Sequence, residues 1–81
     1  MEYKDFGLQM YKMKFRLKWI GNTFILGVYT RSYDILAIIP SRFREYTIGR
    51  ENFFKLPKNE QEKLLYLIEE YANTPVEERE I

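Results

Sequence analysis

Eighty-one residues limit the chain to one core, because a domain of this size buries only about 60 to 65% of the surface its unfolded chain exposes. The absence of histidine and cysteine removes imidazole ligands, thiolate ligands and disulfides together, so no cross-link or zinc of the usual kind reinforces that core. A formal net charge of +1 separates the chain from strongly basic nucleic-acid proteins.

Cohesion must come from packing. One Trp, seven Tyr and six Phe, each able to bury a large area, supply the means. The opening Met1 to Leu8 carries Glu2 and Asp5 and no long apolar run, so the reading is a cytoplasmic protein without a signal segment or membrane span. Alanine is limited to Ala37 and Ala72, while Asn, Ile, Lys, Phe and Tyr are abundant. That drift accompanies AT-rich coding DNA, of the kind many phages and mobile elements carry.

Charge is unevenly placed. Up to Arg50 nine cations face the four carboxylates Glu2, Asp5, Asp34 and Glu45; from Glu51 onward eight glutamates face Lys55, Lys58, Lys63 and Arg79. Sheet and helix are thereby expected to carry opposite fields.

In chain order, Tyr11 to Trp19 alternates Tyr11, Met13, Phe15, Leu17 and Trp19 with Lys12, Lys14, Arg16 and Lys18, the period of two of a half-buried strand. Gly21-Asn22 reads as a two-residue hairpin turn. That loop pairs Trp19 with Phe24, Leu17 with Leu26, Phe15 with Val28 and Met13 with Thr30 on one face. On the other face it pairs Lys18 with Ile25, Arg16 with Gly27 and Lys14 with Tyr29.

Arg31 to Asp34 forms the second turn, with Arg31 and Asp34 placed to pair across it, and Ile35 to Ile39 the third strand, ended by Pro40. An even loop puts Ile35, Ala37 and Ile39 on the core face and Leu36 and Ile38 on the face of the lysines. A strand apolar on both sides usually has both sides covered. Arg42 to Ile48 is either a fourth strand or an arm.

Arg50 to Leu56 is a candidate single helical turn tucking Phe53 and Phe54 under the sheet, and Pro57 suits the first turn of the main helix. There Leu64, Leu65, Leu67, Ile68, Tyr71 and Ala72 share an arc opposite Glu62, Lys63, Tyr66, Glu69, Glu70 and Asn73. Thr74-Pro75-Val76-Glu77 places a capping threonine, a proline and a glutamate where a second short helix would start, with an end expected to fray. The fold expected is α+β: an antiparallel three- or four-stranded meander packed on one face by a C-terminal amphipathic helix, with a short extra helix, all within one domain.

The chemistry is mostly negative. Ser32 and Ser41 have no imidazole to activate them and sit where turns favour serine; Asp5 and Asp34 lie in a terminus and a turn; the glutamates line a solvent-facing helix. Glu77, Glu78 and Glu80 lack calcium-loop spacing, and no phosphate loop or dinucleotide fingerprint is present. The expectation is a protein that is not an enzyme, with no cofactor and no metal.

The positive feature is a surface. Ile25, Tyr29, Leu36 and Ile38 form an apolar strip on the face carrying Lys12, Lys14, Arg16 and Lys18, with Arg42 and Arg44 nearby. Docking on a partner protein, or on a second copy as a homodimer, explains this strip. The plainer reading is that the N-terminal segment, with Tyr3, Phe6 and Leu8, or the Phe53-Phe54 turn folds over it. The alternative function is nucleic-acid binding, the four cations tracking phosphates over about 20 Å with Tyr29 as a stacking surface.

Overall fold

The computed structural model describes residues 1–21 and 24–79. Its elements are α1 (Tyr3–Lys12), β1 (Arg16–Ile20), β2 (Ile25–Tyr29), β3 (Ile35–Pro40), β4 (Thr47–Ile48), α2 (Arg50–Phe53), α3 (Lys58–Ala72) and a 3₁₀ turn at Val76–Glu78. The strands form one antiparallel sheet in the order β1-β2-β3-β4. The architecture is thus the α+β meander with a C-terminal helix that the pattern predicts, with the fourth strand reduced to two residues. No helix among the described residues is long and apolar enough to cross a membrane.

The expected strand from Tyr11 to Trp19 is overturned in its first half. Tyr11 and Lys12 close α1, and β1 begins at Arg16. Two apolar periods overlap here: Tyr3, Phe6, Met10 and Met13 follow a helical stripe, while Met13, Phe15, Leu17 and Trp19 alternate. The backbone changes at Lys14, which adopts φ of 65°. The Phe15 N–H then donates to the Met10 carbonyl and the Lys14 N–H to that of Tyr11, both at 2.9 Å. This is a Schellman cap built on a lysine where glycine is the usual residue.

The first hairpin is shifted by two residues from the expected register. Ile20 pairs with Ile25, Trp19 with Leu26, Leu17 with Val28 and Arg16 with Tyr29. Residues 21–24 therefore connect the strands. Gly21 has the positive φ expected, 66°; Asn22, the second residue of the expected turn, lies outside the described residues. A shift of two leaves face parity intact, so Leu17, Trp19, Leu26 and Val28 still share the core face.

The second turn is one residue shorter than expected. Thr30 and Asp34 close it, the Thr30 N–H donating to the Asp34 carbonyl at 2.9 Å, and Tyr33 takes φ of 64°, the position where a three-residue hairpin loop wants a left-handed residue. Asp34 engages Thr30, its N–H donating to Thr30 Oγ1 at 3.1 Å; the expected Arg31–Asp34 ion pair does not form. A β-bulge after Val28 restores the register, Tyr29 pairing with Ile35 and Val28 with Ala37. Leu36 is the extra residue. It turns inward beside Ala37 and is fully buried, while Ile35 takes the place opposite Tyr29 that the even loop had given to Leu36.

All helices pack on the core face. Tyr3 of α1 lies 5.3 Å from Trp19, ring to ring, and Phe6 stacks on Tyr71 at 4.6 Å. Phe53 of α2 is buried in the same cluster, whereas Phe54 is 61% exposed and is not tucked under the sheet. In α3 the predicted inner residues Leu64, Leu67, Ile68, Tyr71 and Ala72 are buried, Leu65 packs against the cluster, and the predicted outer residues are all exposed.

Past α3 the chain is anchored as far as Arg79; the last two residues of the end expected to fray, 80 and 81, lie outside the described residues. Thr74 does not cap the 3₁₀ turn; its hydroxyl donates to the Glu70 carbonyl at 2.8 Å. Arg79 is fully buried. Its guanidinium donates to the carbonyls of Pro40 (2.9 Å) and Ser41 (3.3 Å), of Phe43 (2.9 Å), and of Thr74 (3.3 Å) and Ala72 (2.8 Å). Every guanidinium N–H thereby has a main-chain acceptor. The Ala72 carbonyl ends α3, where the helix dipole favours a cation, that of Thr74 follows it, that of Pro40 ends β3, and those of Ser41 and Phe43 belong to the segment after β3. One arginine therefore ties the end of the helix to the sheet.

Candidate functional site

The face of the sheet turned away from the helices is set by strand parity. It carries Arg16, Lys18 and Ile20 from β1, Ile25, Gly27 and Tyr29 from β2, and Ile35, Ile38 and Pro40 from β3, in the pairings Lys18–Gly27–Ile38 and Ile20–Ile25–Pro40. Its apolar members Ile20, Ile25, Tyr29, Ile35, Ile38 and Pro40 stand outside the core cluster. Ile20 is 38% exposed and the other five are half-buried. Neither α1 nor α2 folds over them, since the residues those helices bury lie in the core on the opposite face.

Glycine at position 27 has a specific consequence. The ring of Tyr29 folds back along the strand over it, so that a Cβ there would lie 2.6 Å from Tyr29 Cε2. The same ring sits 6.2 Å from that of Tyr33. Arg16 completes the group: its guanidinium lies 4.7 Å from the Tyr33 ring centroid, donates to Tyr33 Oη at 3.0 Å and to the Arg31 carbonyl at 3.1 Å. A tyrosine in the left-handed region costs on the order of 1 kcal/mol or more. Here that strain lays a phenol against Arg16, beside the apolar strip.

The other cations expected on this face separate. Lys18 remains on it, opposite Gly27. Lys12 ends α1 and Lys14 caps it, so the expected row of four strand cations does not exist. Arg42 and Arg44 are exposed in the segment between β3 and β4, with Arg42 5.0 Å from the exposed ring of Phe24. Leu36 is buried and is no part of the surface. Ile20, Ile35 and Tyr33 belong to it and were not singled out from the sequence. The alternation already marked Ile20, whereas Ile35 and Tyr33 depend on the bulge and the shorter loop.

Titration on the molecule follows burial and carboxylate contacts. Burial pushes the Tyr71 phenol above its ordinary value, opposed by the Arg79 charge, and burial holds Arg79 below its own, opposed by Tyr71. Burial, then the hydrogen bond to Glu69, raises Tyr46, and a bond to Glu70 raises Tyr66. All four are acids or cations in their neutral-pH forms, placed for structure and away from the strip.

No protein-family model, curated protein or solved structure matches the chain.

Proposed function

We propose that the protein is a non-enzymatic binding module of the cytoplasm that docks the open face of its sheet on a partner protein, as an inhibitor, adaptor or regulator. The observation that carries this reading is the strip Ile20, Ile25, Tyr29, Ile35 and Ile38, which lies outside the core cluster. A continuous apolar strip with aromatic and arginine side chains at its margin has the make-up of an interface centre. Arg16 and Lys18 at its border favour a partner that surrounds an apolar patch with carboxylates, through charge complementarity.

Nucleic acid is the weaker reading, because the cationic row that supported it is broken at Lys14. A homodimer through the same face buries the strip equally well, and the partner's identity decides between the two. The test is an association measurement on paired variants. Ile38→Asp should abolish partner binding, whereas Lys18→Glu should mainly slow association and weaken its salt dependence. Binding that survives Ile38→Asp would refute the reading.

A further inference from the structure

We propose that the groove between the end of α1, the loop at residues 31–33 and the start of α3 is an anion site that takes a compact group of two or more linked phosphates. Lys12, Lys14, Arg31 and Lys63 line an open concavity of about 580 Å³ together with Phe15, Leu56 and Glu60, the one carboxylate among its lining residues. The sole ion pair among the described residues is Lys4–Glu2, so none of these four cations has a carboxylate at ion-pair distance.

Four cations lining one groove against a single carboxylate, Glu60, that pairs with none of them raise the free energy of the empty groove and concentrate anions in it. The position of Lys14 adds to this, since the residue lines the groove from a left-handed backbone that glycine would occupy without strain. The volume suits a small ligand.

Charge and shape select the ligand. Four cations against Glu60 leave a surplus of about three charges, which one carboxylate cannot match and a single phosphate monoester, at about 1.5 to 2 negative charges, only half matches, so a group of two or more phosphates is needed to neutralise the groove. A long strand of nucleic acid would leave the groove along α3 and meet the exposed carboxylates Glu62, Glu69 and Glu70. A neighbouring hollow shares Lys12, Lys14, Phe15 and Arg31 and adds Tyr11 and Arg16. The Tyr11 ring, 79% exposed, offers a surface for an apolar or aromatic part of the ligand. Arg16 alone is shared with the open sheet face, so this inference stands apart from the docking reading.

The test is a titration of isotope-labelled protein with inorganic pyrophosphate at low ionic strength, followed by amide chemical shifts. Saturable shifts confined to Lys14, Phe15, Arg31 and Lys63 are expected, with binding weakened roughly tenfold in both Lys14→Glu and Lys63→Glu. Lys55→Glu, an exposed lysine outside the groove with the same change in net charge, should bind as the parent does. ATP and a doubly phosphorylated peptide, titrated in parallel, distinguish a free nucleotide from a protein-borne source, and the same amide map with either supports the site. Unsaturable shifts scattered over surface lysines would overturn the proposal. Equal binding by Lys63→Glu and Lys55→Glu, or by an unphosphorylated glutamate-rich peptide and pyrophosphate, would do so too.

Discussion

Tyr29 lies across Gly27, its ring filling the space where any other residue at that position would carry a side chain. In mid-strand, glycine weakens a sheet and often marks a close approach; here the approach is made by the chain's own tyrosine, two residues on and on the same face. Gly27→Ala should therefore leave the core untouched, change stability by no more than about 1 kcal/mol, and swing the ring off the strip. Partner binding should weaken while the thermal midpoint barely moves. A large loss of stability would mean that the ring is held more firmly than its half-buried setting implies.

Arg79 joins the end of α3 to the end of β3 and the segment after it through main-chain carbonyls alone. Arg79→Ala would strand five acceptors, and a cost of roughly 3 kcal/mol or more is expected in urea unfolding. Arg79→Lys should recover little of it, because an ammonium offers three donors from one point in place of a planar fork of five. A lysine variant as stable as the parent would show that charge at the end of the helix, not the fork, is what matters.

The hydroxyl of Tyr71 is buried without a hydrogen-bond partner among the described residues, although its ring stacks on Phe6 and lies 5.2 Å from the Arg79 guanidinium. Tyr71→Phe keeps both ring contacts and removes the orphan oxygen, so the variant should be more stable at neutral pH by about 1 kcal/mol.

The pH dependence has a definite sign. The folded Tyr71 pKa is raised above its ordinary 10.0, so its contribution is complete below pH 10 and is lost as pH rises from there toward the folded value, where the unfolded chain releases a proton that the folded one retains. Urea midpoints across this alkaline range should fall less steeply in Tyr71→Phe than in the parent. Parallel curves would contradict the assignment. Tyr46 and Tyr66 are common to both proteins and drop out of the comparison.

Lys14→Gly should raise the melting temperature. It relieves a left-handed lysine at the cap of α1 and gives back part of that gain in unfolded-chain entropy, for a net stabilisation of about 0.5 to 1 kcal/mol. The same variant should bind pyrophosphate more weakly, the trade expected where strain holds a functional side chain.

Much of the fold is written in periodicity. The inner arc of α3 and the parity of β1 and β2 are legible because each element shows one clean period, and parity survived even a two-residue error in the hairpin loop. Where two periods share residues, as at Met13, alternation masked the helix that ends at Lys12, and only the helical spacing of Tyr3, Phe6 and Met10 could have revealed it. The face of Leu36 is illegible for a different reason. A bulge and a shorter turn compensate each other, and neither leaves a composition signal, since Tyr33 stands where glycine would have announced the loop. Arg79 was illegible in principle: its acceptors are backbone carbonyls from distant segments, which no side-chain pattern encodes.

The docking claim is tested most directly by quantitative capture from lysate of the source organism with wild-type protein, Ile38→Asp and the helix-face variant Tyr66→Asp, each first shown to be folded by circular dichroism. The account predicts one stoichiometric partner, or a second copy of the chain itself, retained by wild type and Tyr66→Asp and lost from Ile38→Asp, with amide-exchange protection over β1 to β3 in the complex. A wild-type protein that stays monomeric and retains nothing, or a partner held equally by Ile38→Asp, would contradict it.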